Sequence, residues 1–115
     1  MSKKKRTELS GYRIMWVMVL FDLPVVADEE RKAATRFRNS LKDMGFEMAQ
    51  FSVYARWTTG KDKVKSIIGK VQDSLPEGGK VDILQFTDKQ YENIISFHGK
   101  QRDKSQKNPD QYVLF

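Results

Sequence analysis

The stretch that decides the fold is Arg13–Pro24, RIMWVMVLFDLP, in which eight consecutive apolar residues, Ile14 to Phe21, run into Asp22 and then a Leu-Pro stop. A run this short, rich in Val, Ile, Trp and Phe, suits a strand buried on both faces. It is too short to span a bilayer, and the basic start MSKKKR lacks a small-residue cleavage site after its apolar segment, so a soluble cytoplasmic protein with no membrane partner is expected. Asp22 then stands at the end of a central strand, a place where sheet proteins keep chemistry and where an ordinary turn residue also sits.

Working outward, Asp28 is read as an N-cap, with Glu29 and Glu30 in the first turn at the positive end of the helix dipole. Ala33, Ala34, Phe37, Leu41 and Met44 recur at helical spacing, and Gly45 is placed as the left-handed stop. Arg31, Arg38 and Lys42 form an outward row, with Lys32 and Arg36 beside it. Phe46 to Trp57 shifts register near Gln50, which predicts two strands, or one sharply bent strand, joined with almost no loop at Ala49-Gln50. FSVYARW carries the stronger strand propensity. Val64, Ile67, Ile68, Val71 and Leu75 mark a second helix ended by Pro76 and Gly78-Gly79, and Lys80–Thr87 is a further strand. Asp88–Glu92 reads as a connection and Ile94–His98 as a short last strand.

This order predicts an α+β protein: a ferredoxin-like βαββαβ sandwich over residues 12–99 with an extra C-terminal strand. Residues 1–11 are expected to be a disordered basic leader, and residues 100–115 a mobile tail with an apolar docking tip, Tyr112–Phe115. Met15, Val17, Val19 and Phe21 lie on one side of the first strand and Ile14, Trp16, Met18 and Leu20 on the other. Two helices cover only one of these faces, so the other is expected to meet a second copy, a homodimer. The extra strand is expected to pair with the partner's sheet edge.

Composition narrows the chemistry. The chain has no cysteine and one histidine, His98, which excludes disulfide frameworks and cysteine-based zinc sites. The net charge of +6 sits in the ends: Lys3 to Arg6 at the start, and Lys100, Arg102, Lys104 and Lys107 against Asp103 and Asp110 at the close. The body between is neutral overall. Within it, Arg31, Lys32, Arg36, Arg38, Lys42 and Arg56 outnumber Asp43 and Glu47, a local excess that suits a phosphate backbone and equally suits a solvated helix face. Ser52 and Ser96 have no evident base. Asp22 remains as the candidate catalytic and metal-ligating residue, for Mg²⁺ or another divalent ion, in a dimer that brings two copies together.

The order VLFDLP, an Arg-bearing helix ending in Gly-Phe, AQFSVYARW, a second helix, and a strand followed by QYENIISFHG resembles the CRISPR-associated protein-two family over about residues 12–99. The FDLP form and long tail look most like members from type II systems. The resemblance implies a homodimer that acquires new spacers, bridging two dimers of the Cas-one integrase and holding double-stranded DNA. It also implies a metal-dependent endonuclease on RNA or DNA with Asp22 as metal ligand, and sets the family's basic helix positions on Arg31 to Arg38, with Arg36 the best match; together with Lys42 and Arg56 from the local charge excess, Arg31, Arg36 and Arg38 are the expected nucleic-acid contacts. Tyr54 takes the place of the aromatic that closes the family's S-V-F/Y motif. The alternative on the same fold is a stand-alone toxin-type ribonuclease.

Overall fold

A computed structural model describes residues 13–104. The leader and the Tyr112–Phe115 tip lie outside the described residues. The chain runs β1 (Ile14–Asp22), α1 (Asp28–Asp43), β2 (Glu47–Gln50), β3 (Val53–Thr59), α2 (Lys61–Asp73) and β4 (Lys80–Thr87). A one-turn helix, α3 (Asp88–Glu92), and two short strands, β5 (Phe97–His98) and β6 (Gln101–Arg102), follow.

The first four strands form one antiparallel sheet in the order β2-β3-β1-β4, so β1 and β3 are central as the ferredoxin-like reading requires. Alternation along β1 sends Val17, Val19 and Phe21 to the helix-covered face. There they are buried with Phe37 and Leu41 of α1, Tyr54 of β3, and Val64, Ile67 and Val71 of α2. Full burial of each such side chain contributes about 1.5–3 kcal/mol, so this one layer supplies most of the cohesion.

Several local expectations change in physical detail. Ala27, not Asp28, is the N-cap of α1, and Asp28 is its first helical residue. Alanine has no side-chain acceptor, so Glu30 reaches back and accepts from the amides of Ala27 at 2.9 Å and Val26 at 3.1 Å. At the other end the stop at Gly45 holds: its φ is +89°, and the Gly45 and Phe46 amides donate to the Lys42 and Leu41 carbonyls at 2.9 and 3.0 Å. The β2–β3 turn falls at Phe51-Ser52, one residue pair later than Ala49-Gln50. A register shift between Met48 and Gln50 accounts for the altered period, and Ser52 takes a positive φ of 60° to close the turn.

α2 ends at Asp73, leaving Leu75 beyond it and largely exposed. Asp88–Glu92 is a helix rather than a plain connection, because Thr87 and Gln90 form a reciprocal capping box at 2.9 and 3.1 Å. The last strand is shorter than Ile94–His98. Phe97–His98 pairs with Gln101–Arg102 of the same chain instead of extending the main sheet.

Candidate functional site

β1 carries Asp22 to the end of the sheet. Phe21 points into the helix-side core, so the alternation turns Asp22 to the other face, where it is exposed. The position is tightly framed. The Phe21 amide donates to the Ser52 carbonyl at 3.0 Å, and Asp22 is paired directly with Lys80 across the β1–β4 ladder. On the third side Gly79, at φ +86°, passes so close that a Cβ there would lie 2.6 Å from the Asp22 carbonyl oxygen and 2.8 Å from Leu23 Cδ2. Only glycine combines that φ with that approach.

Among the described residues the Asp22 carboxylate has no hydrogen-bond or ion-pair partner; Lys80 Nζ instead lies 3.6 Å from Asp82 Oδ2. Among them, too, no group of three or more His, Cys, Asp or Glu side chains could hold a metal ion. A free, exposed carboxylate suits Mg²⁺, which keeps most of its waters and takes one or two protein carboxylates. Among the described residues, the strand end thus offers a cation one exposed carboxylate.

The basic residues separate into different roles. Arg31 turns back on its own helix entry: Nη1 donates to the carbonyls of Val25 at 3.1 Å and Val26 at 2.7 Å, and Nη2 pairs with Asp28. Arg38 lies over the Phe21 ring, 5.8 Å from its centroid, a cation–π contact beside the Asp22 strand end. Arg56 is on the helix-covered face with Val17 opposite it, and its Nη1 donates to the Met44 carbonyl at the end of α1. It thus satisfies a terminal carbonyl at the negative end of the helix dipole. Arg36 and Lys42 have no ion-pair partner among the described residues.

Along α1, Arg31, Arg38 and Lys42 keep the expected row. At about 100° per residue, Arg36 and Arg38 fall on opposite flanks of Phe37, so Arg36 and Lys32 lie apart from Arg31, Arg38 and Lys42. His98 is remote in role as well: its Nε2 lies 3.3 Å from Asp103 Oδ2 within the β5–β6 hairpin.

Sequence reading missed the α2–β4 corner, where Gly79, Lys80 and Asp82 gather around the strand end. The available signal was the alternation Lys80-Val81-Asp82, which puts both charges on one face once Val81 is known to face the core. It also missed what covers the near end of the open face. Tyr91 of α3 stacks on Trp16, with centroids 3.6 Å apart and planes 9° from parallel, and Trp16 Nε1 donates to Asp88 at 2.9 Å. Past that clasp, Met18, Leu20, Trp57, Leu84 and Phe97 line a groove that polar side chains such as Gln50 and Gln90 share.

Among the described residues no helix is long and apolar enough to cross a membrane. Residues 15–94 match the family described as CRISPR associated protein Cas2. A protein of Paracidovorax avenae named CRISPR-associated endoribonuclease Cas2 is 59% identical over 107 residues, covering 93% of this chain and 99% of its own length. Proteins of the same name from Flavobacterium psychrophilum and Streptococcus mutans are 40% identical over 109 residues and 35% identical over 101. The first alignment covers 95% of both chains, the second 88% of this one and 92% of the relative. With a β1 that ends in Asp22 inside the matched segment, this chain belongs to the CRISPR associated protein Cas2 family.

Proposed function

We propose that this chain works as a homodimeric subunit of CRISPR adaptation, in the cytoplasm, with a metal-dependent endonuclease centre at Asp22. The observation that carries the homodimer is the open sheet face, where Leu84 is 43% and Trp57 40% exposed beside Met18 and Leu20. Apolar side chains on a sheet gain by leaving water, and a second copy across a two-fold axis is the commonest way for a chain to cover such a face. The endonuclease reading is supported by the free Asp22 carboxylate and by the relatives' name, CRISPR-associated endoribonuclease Cas2.

In the dimer, Asp22 of each copy would hold a divalent ion such as Mg²⁺, which lowers the pKa of bound water and neutralises charge on a phosphodiester. The chain's own part is to present an unpaired carboxylate at a fixed strand end, braced by Ser52 and Gly79. Of the five candidate cations, Arg36 and Lys42 are free of ion pairs and keep their charge for the backbone of duplex DNA. The same dimer would bridge two integrase dimers and hold a protospacer duplex. One carboxylate per chain is meagre equipment for a fast hydrolase, which favours the scaffold as the physiological role and leaves the Asp22 chemistry as an activity beside it.

One substitution separates the two roles. Asp22→Ala in the purified dimer is expected to abolish Mg²⁺-dependent cleavage of RNA and DNA oligonucleotides, a loss of at least about a hundredfold, while leaving the dimer intact. Spacer acquisition in cells is then read with the same variant. Loss of cleavage with acquisition retained assigns acquisition to the scaffold alone, whereas cleavage that survives the substitution removes Asp22 as the catalytic residue.

A further inference from the structure

We infer that Lys80 is a catalytic residue of the Asp22 centre, the cation that binds the scissile phosphate. The inference rests on Asp22 being the nuclease residue. Its first support is the register. Asp22 and Lys80 are direct partners in the β1–β4 ladder. Direct partners in an antiparallel pair share a face, with Cβ atoms about 4.5–5.5 Å apart. Val81 packs against the helix-side core, which sends Lys80 and Asp82 to the opposite face, the one Asp22 occupies.

The second support is how Lys80 is held. It is 77% exposed and leans toward Asp82, at 3.6 Å, leaving Asp22 without a counter-ion. A solvent-screened pair at that distance is weak, so an incoming phosphate can displace Asp82 from the ammonium. In this arrangement the ammonium leans to Asp82 and the Asp22 carboxylate stays open to a ligand. Arg38, the cation beside Phe21, is engaged with that ring on the other face of the sheet.

The third support is the backbone that delivers it. Gly79 stands where any L side chain would strike the Asp22 carbonyl and Leu23, so the chain enters β4 pressed against the residue it serves. A phosphodiester seated between the two side chains would meet an acceptor for a hydrated cation on one side and an ammonium on the other. Charge grows on the non-bridging oxygens as water attacks phosphorus and a bridging P–O bond breaks, and a fixed cation there favours the transition state.

The test uses the purified full chain, Mg²⁺ and a fluorescein-labelled single-stranded RNA of mixed sequence. Lys80→Ala and Lys80→Gln are expected to lower kcat/KM by about 10- to 100-fold, while Lys80→Arg keeps activity within about threefold of wild type. Circular dichroism and dimer mass should not change, since Lys80 is an exposed residue at a strand start. A second readout needs no catalysis. In the Asp22→Asn background, Lys80→Ala should lessen the slope of log K for the same RNA against log salt by about 0.7, the loss of one phosphate contact on a single strand. Asp22→Ala, run in parallel, keeps the two ideas apart. If it is inactive while Lys80→Ala matches wild type in both rate and salt slope, Lys80 is overturned and Asp22 stands. If Asp22→Ala cleaves as wild type does, the Asp22 reading falls and the role given to Lys80 falls with it.

Discussion

The two faces of the sheet are built from the same four strands and meet opposite fates. On one, Val17, Val19 and Tyr54 are wholly buried beneath α1 and α2. On the other, among the described residues, Trp57 and Leu84 stay partly open while the Trp16 end is roofed by the stacked Tyr91 of α3. β1 contributes apolar side chains to both, so strand composition does not set the difference. Long amphipathic helices lie on one side, and a five-residue helix with a two-stranded hairpin lies on the other. A sheet covered so unequally has one face that folds the chain and one that remains available for association.

The largest effect is expected on the closed face. Leu41 is completely buried between α1 and the sheet, so Leu41→Ala removes transfer free energy and leaves a cavity, at a cost of about 2–5 kcal/mol. For a domain of this size that is a large part of total stability, and urea unfolding should show the midpoint falling with little change in slope. A loss below about 1 kcal/mol would mean that the helix layer is not the main source of cohesion.

Leu84 gives the matching experiment on the open face. Leu84→Glu puts a charge at a partly solvated site of β4, where a single chain loses about 0.5 kcal/mol or less. Across a dimer interface the same charge is repeated by symmetry and desolvated on both sides. Light scattering is therefore expected to find monomer for the variant and dimer for wild type. Tm is expected to depend on concentration for wild type and not for the variant. A variant that remains a dimer at micromolar concentration would place the association surface elsewhere, and the contrast between the faces would lose its meaning.

Most of the fold was legible in the sequence, because the features that build it are local. The helix stripes at Phe37–Leu41 and Val64–Val71, the stop at Gly45 and the strand Lys80–Thr87 each follow from spacing within one segment. What was not legible depends on residues distant in the chain. Arg56 reads as one more cation until β3 is known to turn it toward the end of α1, where the Met44 carbonyl needs a donor. Asp88–Glu92 lacks an apolar period of its own and becomes a helix through its Thr87 cap and the Trp16–Tyr91 stack. The same holds at the strand end. Asp22 was visible as a charge closing an apolar run, whereas Lys80 and Asp82 join it only through the β1–β4 register.

The smallest effect tests how complete the closed face is. Tyr54 is fully buried, its ring lies 5.7 Å from that of Phe21, and its hydroxyl is an unsatisfied buried polar group. A buried hydroxyl without a partner costs about 1–3 kcal/mol in desolvation, while the ring around it contributes favourably by apolar burial and aromatic contact. Tyr54→Phe keeps the ring, removes the orphaned oxygen and leaves a void no larger than that atom. Stability is expected to stay level or rise by about 1 kcal/mol, with the dimer and the Asp22 centre unaffected. A fall of more than about 1 kcal/mol would mean that the hydroxyl finds a partner in solution, through a buried water or a shift of α1, and that the helix-covered face carries a polar contact inside its apolar layer.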